Sequence, residues 1–186
     1  MEITNIRLEL AKKSKWNIGY FIAGFVFWVY VSITSIIIPF DLAKIYWIVG
    51  TFLIFPVAVF ASKLCKADPF SSNNPLGNLV GYTHMSVISM SYPIVLIVFF
   101  KYPEILLLTM AILYCLDFYV MTWAFGTPIF GVSAAFRVLI STIIWLAFPK
   151  LSAIAIPVFI SLSYLVIVLV VPAKRLAWIN LNENKA

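Results

Sequence analysis

Long apolar stretches follow one another along this chain, separated by short polar or proline-bearing turns. A membrane-crossing helix needs about 20 consecutive apolar residues. Six stretches meet that length, at about 18–40, 43–61, 75–100, 103–125, 131–148 and 151–171. The breaks have local causes. Pro39-Phe40-Asp41 closes the first run, and Asn74-Pro75 opens the third, Asn being a good N-cap and Pro being favoured at the first helical position. Breaks near 39–42, 101–103 and 149–150 leave so little chain between runs that consecutive helices must lie as antiparallel neighbours. The pattern predicts an all-α polytopic membrane protein with six transmembrane helices. Residues 16–172 form the membrane domain, 1–15 an amphipathic cytoplasmic segment with Ile3, Ile6 and Leu10 on one face, and 173–186 a cytoplasmic tail. The first run is longer than a signal-peptide core of about 7–15 residues and ends in no A-x-A site, so it is expected to stay as a span.

Composition agrees with the pattern. The 186 residues are 63% hydrophobic and 11% charged, against about 45–50% and about 25% in soluble proteins. A soluble fold could not cover so much apolar surface with so few charges, so the lipid bilayer is the expected partner. The formal charge of +6 is not a nucleic-acid signature, because the basic residues cluster at the ends of apolar runs. With the N-terminus inside, Arg7, Lys12, Lys13, Lys15, Lys63, Lys66, Lys174, Arg175 and Lys185 fall in the cytoplasm, against Lys44, Lys101 and Lys150 outside. That bias predicts N-in, C-in. The same orientation puts Trp16, Trp123 and Trp178 at the inner interface and Trp47 and Trp145 at the outer one, with Trp28 near mid-membrane. Two cysteines, a single histidine and no CxxC predict neither a disulfide, a metal site nor a bound cofactor. Homo-oligomerisation stays open.

Three ionisable residues fall inside the runs: His84, Asp117 and Arg137. A charge at membrane depth costs about 2.5–3.5 kcal/mol on insertion scales and therefore faces the bundle interior or a partner. Asp117 and Arg137 each lie about ten residues from the turn at Thr127-Pro128, so on antiparallel helices they sit at similar height, roughly 13–16 Å from it. This predicts a buried Asp117–Arg137 ion pair. Ser133 and Ser141 flank Arg137 at four-residue spacing, Tyr114 precedes Asp117 by three, and Tyr82, Ser86, Ser89 and Pro93 form a stripe beside His84. Together these residues outline a polar pocket between the third, fourth and fifth helices.

Two roles fit that pocket. It could bind or gate a small polar or zwitterionic solute in a transporter or ligand-binding protein, with His84 handling a proton. Alternatively, the ion pair only locks two helices together in a structural or regulatory protein. An intramembrane enzyme built on Cys115 is a weaker third reading, since no HExxH, GxSxG or phosphate-loop motif is present. The loop Ala67-Asp68-Pro69-Phe70, followed by Asn74-Pro75-Leu76-Gly77, resembles that of an uncharacterised bacterial family of small multipass membrane proteins with an A-D-x-F…N-P-L-G pattern. The resemblance implies a bacterial inner (plasma) membrane and brings no assigned activity. As a plain structural element, the same loop is a proline turn followed by a capped helix start.

Overall fold

The computed structural model describes residues 3–71 and 73–183. Met1, Glu2, Ser72 and residues 184–186, and with them Lys185 of the charge count, lie outside the described residues. The architecture is all-α: α1 (Ile3–Ser14), α2 (Ile18–Ile37), α3 (Phe40–Leu64), α4 (Pro75–Lys101), α5 (Leu106–Leu113), α6 (Asp117–Phe125), α7 (Ile129–Ala147) and α8 (Ser152–Glu183). Six helical units are long and apolar enough to cross a membrane. The first comprises α1 and α2, the fourth α5 and α6. The tightest packing is among α2, α3 and α8, with α2 in the middle.

All residues of the first turn are non-glycine and left-handed: Lys15, Trp16 and Asn17 have φ of 49°, 57° and 56°. Such backbone costs of order 1–3 kcal/mol per residue unless its surroundings hold it. Here Trp16 is buried among Phe125, Phe130 and Trp178 at ring-centroid distances of 6.1, 5.6 and 6.0 Å. Lys15 Nζ donates to the Cys65 carbonyl at 2.7 Å. The turn folds α1 back across one end of the bundle.

That end collects most of the basic residues. Lys12 pairs with Glu183 at 2.5 Å, so both ends of the described chain lie together. Arg7 donates to the Trp123 carbonyl at 2.7 Å, against the left-handed Gly126 that closes α6. Asp68 N–H donates to the Lys13 carbonyl at 2.9 Å, which fastens the 65–74 loop to α1. The Lys13 ammonium bonded to Glu9 holds its carboxyl below the usual range. This small contribution is present at neutral pH and is lost as acidification passes through that lowered range. Leu10 and Ala11 are fully buried, so α1 is packed into the protein as well as being amphipathic.

Asn74 does two jobs at this end. Its side-chain oxygen accepts from Leu76 and Gly77 N–H at 3.0 and 3.2 Å, capping α4. Its amide donates to the Ile6 carbonyl at 3.0 Å and to Glu9 at 3.3 Å, holding α1. Asn74→Ala should cost about 1–2 kcal/mol through the lost cap alone and speed amide exchange in both α1 and the first turn of α4. Asn74→Asp should keep the cap and lose the α1 tether, so that exchange rises in α1 only. Equal protection in all three proteins would contradict the tether.

Two expectations change. The fourth helix is not continuous: at Tyr114–Leu116 the bonding tightens to the three-residue type, with Cys115 N–H to Ile112 and Leu116 N–H to Leu113 at 3.1 and 3.2 Å. The last helix, in turn, outruns the apolar stretch that closes at Pro172. α8 runs through it to Glu183, its final turns held by α1 through Lys12 and by Arg175, which reaches the Ala11 carbonyl at 3.4 Å.

Candidate functional site

The break between α5 and α6 places Asp117 in the first turn of α6. A carboxylate is favoured in a helix's first turn by the positive end of the helix dipole. The tight turn also aims Asp117 at α4, where its Oδ2 is in direct hydrogen-bonding contact with His84 Nδ1. Both side chains are largely withdrawn from the surface, at 15% and 7% exposure. Tyr20 of α2 packs edge-on against the His84 ring at 5.0 Å. The second carboxylate oxygen, Oδ1, is buried and has no hydrogen-bond partner among the described residues.

His84 and Asp117 line a cavity of about 50 Å³. Its polar wall is Tyr20, Thr51, His84, Tyr114, Asp117 and Tyr164, and the remainder is aromatic or aliphatic. Such a space holds a few waters, each needing about 10–15 Å³. The Thr51 hydroxyl is bonded to that of Tyr92 at 2.7 Å. A smaller void of about 10 Å³ shares Tyr20, His84 and Met121 with the cavity and extends past Asn17 to Ser71 and Pro69. His84 therefore stands between the cavity and the basic end of the bundle.

Arg137 does not pair with Asp117; no ion pair joins them among the described residues. The predicted height is right and the facing is wrong. Arg137 is fully buried behind two rings of the cavity wall, its guanidinium carbon 3.7 Å from the Tyr164 ring centre and 4.8 Å from that of Phe118. Nε donates to Ser163 Oγ at 2.7 Å, while Nη1 and Nη2 have no partner among the described residues. Tyr164 is fixed by a close approach to α2: a Cβ on Gly24 would lie 2.4 Å from its Cε1. The cation acts on the cavity through aromatic faces, a cation–π arrangement worth about 2 kcal/mol when desolvated.

The model of a family of unknown function, DUF7010, matches residues 3–174. The chain belongs to DUF7010. No curated protein and no solved structure matches it. The match takes in all of the DUF7010 chain's cavity-lining residues as well as Arg137 and the 65–74 loop.

Of the residues singled out from sequence, Asp117, His84 and Tyr114 meet at the cavity of this DUF7010 chain. Arg137 backs it. Ser133 lies elsewhere, on a groove between α7 and α8. Ser141 is buried, and its hydroxyl has no partner among the described residues. The Tyr82, Ser86, Ser89, Pro93 stripe faces outward, with Tyr82 74% exposed. Its spacing does define one helix face, but His84 is two residues from Tyr82, about 200° around the helix. Tyr20, Thr51 and Tyr164 were missed as site residues. Ser161, Ser163 and Tyr164, close together in a very apolar span, were the available signal for one of them. Trp16 and Trp47, expected at the two interfaces, are packed inside the protein. Among the described residues no three His, Cys, Asp or Glu side chains are grouped to hold a metal ion. Cys115 is free and buried.

Proposed function

We propose that this multipass membrane protein is a small proton-coupled transporter, with the His84–Asp117 pair as the group that takes up and releases the proton. The observation that supports this reading most is the open valence of Asp117. A buried carboxylate in a cavity wall, bonded to one imidazole through Oδ2 and unpartnered at Oδ1, is an acceptor kept for something that comes and goes. Intramembrane ionisable residues mark ion and proton pathways by default. The void that connects His84 towards Asn17 and Ser71 supplies a direction of access from the basic end. The charge bias favours that end as cytoplasmic, N-in and C-in, and the resemblance of the Ala67–Gly77 loop suggests a bacterial inner membrane as the setting.

The co-transported solute is a small hydrogen-bond donor or cation rather than a zwitterion. Asp117 faces the cavity, whereas Arg137 stands behind Phe118 and Tyr164 and leaves no second charge for a solute carboxylate. A second reading has its own observation. The His84–Asp117 contact joins α4 to α6, and α4 has the smallest buried share of the six candidate spans, so the pair also serves as a fastening.

Proton movement separates the two. The purified protein in vesicles loaded with a pH-sensitive dye is expected to speed the collapse of an imposed pH gradient once a small permanent cation such as tetramethylammonium is supplied as the solute. His84→Gln, which keeps a hydrogen-bonding side chain but carries no exchangeable charge near neutrality, should slow the collapse to the rate of empty vesicles while the protein stays folded. Equal rates for native and His84→Gln protein would sink the transporter reading and leave the fastening.

A further inference from the structure

Between α7 and α8 lies a groove of about 910 Å³, open at the side of the bundle and separate from the His84–Asp117 cavity. Its walls are apolar over most of their length, with Val132 and Phe136 on α7 facing Phe159, Leu162 and Val166 on α8. Ser133 and Ser163 are small polar interruptions, Ser163 being engaged by Arg137, and the cationic and indole groups lie at one end. There the wall is formed by Trp16, Thr127, Lys174 and Trp178, at the basic end of the protein. Trp16 is only 1% exposed, and its indole N–H has no hydrogen-bond partner among the described residues. Buried polar groups of this kind normally find an acceptor, and here the donor belongs to a side chain that lines the groove.

We propose that the groove holds one anionic phospholipid of the basic-end leaflet. Its phosphate or ester oxygens accept from Trp16 Nε1 and sit beside the Lys174 ammonium, and one acyl chain runs along α8 towards Phe159. Three features match that occupant. The cation at the mouth complements an anionic headgroup. The groove's only lining charge, among the described residues, is at its mouth, and its far end is walled mainly by apolar side chains, the same sense as along a lipid. From Lys174 to Phe159 is 15 residues of helix, about 22 Å, enough for the ester region and the roughly 15 Å of one hydrocarbon leaflet. A second copy of the chain fits less well, because a membrane helix keeps its backbone carbonyls bonded internally and offers the Trp16 N–H no backbone acceptor at this depth.

Native mass spectrometry of the full chain, released from mixed vesicles of phosphatidylglycerol and phosphatidylcholine, tests this. The native protein should retain one phosphatidylglycerol in preference to phosphatidylcholine by about fivefold, the equivalent of about 1 kcal/mol for one basic side chain. Lys174→Gln should remove the preference. Trp16→Phe, which keeps the ring packing and deletes only the donor, should lower retention of both lipids. Ser133→Trp, which narrows the groove midway, should displace the lipid altogether. Retention equal to native in all three variants would overturn the proposal. So would a dimer that Ser133→Trp converts to monomer with lipid adducts unchanged, since the groove would then be an interface between copies.

Discussion

Gly19→Val is expected to prevent the bundle from assembling, with the protein recovered from detergent as aggregate, and Gly19→Ala to give a folded but weakened protein. A Cβ built on Gly19 would stand 2.0 Å from Ser62 Oγ and 2.6 Å from both the Ala58 carbonyl oxygen and the Ser62 nitrogen. Those two backbone atoms belong to residues four apart on α3, so the added carbon presses on the backbone of α3 as well as on the Ser62 hydroxyl. Membrane helices associate through such close approaches of small residues, because lipid offers no hydrophobic drive between them. Overpacking costs about 1–3 kcal/mol where neighbours can shift; the helix backbone shifts least, and α2–α3 is the most extensive pairing in the fold. Against a total stability of about 5–15 kcal/mol, alanine is tolerable and valine is not. Ser62→Gly should rescue Gly19→Ala only in part, since it clears the hydroxyl and leaves the two backbone atoms. Gly81→Ala is the matched control. Nothing lies within 4 Å of its Cβ, and the substitution should raise stability by about 0.5–1 kcal/mol through helix propensity. Thermal unfolding followed by tryptophan fluorescence checks all four. A Gly19→Ala midpoint equal to native would refute the close approach.

The six spans were legible because run length is a physical requirement of the bilayer, and their ends fell where Pro39, Asn74-Pro75 and Gly126 act locally. The break in the fourth span was not legible. Tyr114-Cys115-Leu116 contains neither Gly nor Pro, and the tight turn there is imposed by the tertiary setting. That one feature redirects Asp117 from α7 to α4, which is why height along the helix was predicted and partner was not. Charge complementarity also misled. Arg137 has an aromatic alternative to a carboxylate, and nothing in the linear sequence shows that Gly24 on α2 makes room for the Tyr164 ring on which the guanidinium stacks. Similarly, continuation of α8 through Pro172 depends on α1 returning to hold the last turns, a contact between the two ends of the chain. The family assignment rests on nearly the whole chain, residues 3–174, of which the 65–74 loop is one part.

Asp117→Asn is expected to destabilise the protein far more than Arg137→Met, and the double variant is expected to be more stable than Asp117→Asn alone. Asp117 and Arg137 do not touch, yet both are buried and Arg137 stacks at 4.8 Å on the ring of Phe118, the residue that follows Asp117, so the two charges share one low-dielectric region. Removing the carboxylate takes a buried anion away from the region of Arg137, a buried cation with two nitrogens unpartnered among the described residues. It also removes the charged acceptor from His84, a bond of about 1.5–3 kcal/mol, although Asn retains part of it. Arg137→Met loses the stacking on Tyr164 and Phe118 and the bond to Ser163. In return it removes a desolvated charge and fills similar volume with an apolar chain, an exchange that is often neutral or better. The coupling energy from the four proteins should therefore be about 0.5–3 kcal/mol, of the sign that makes the double variant better than the sum. Unfolding in lipid nanodiscs gives that number. Strict additivity would mean that the two charges do not sense each other and that Arg137 has only a packing role. Coupling in stability together with complete loss of gradient collapse in the double variant would assign the two residues separate duties: Arg137 compensates the buried carboxylate through the Phe118 and Tyr164 faces, and Asp117 exchanges the proton with His84.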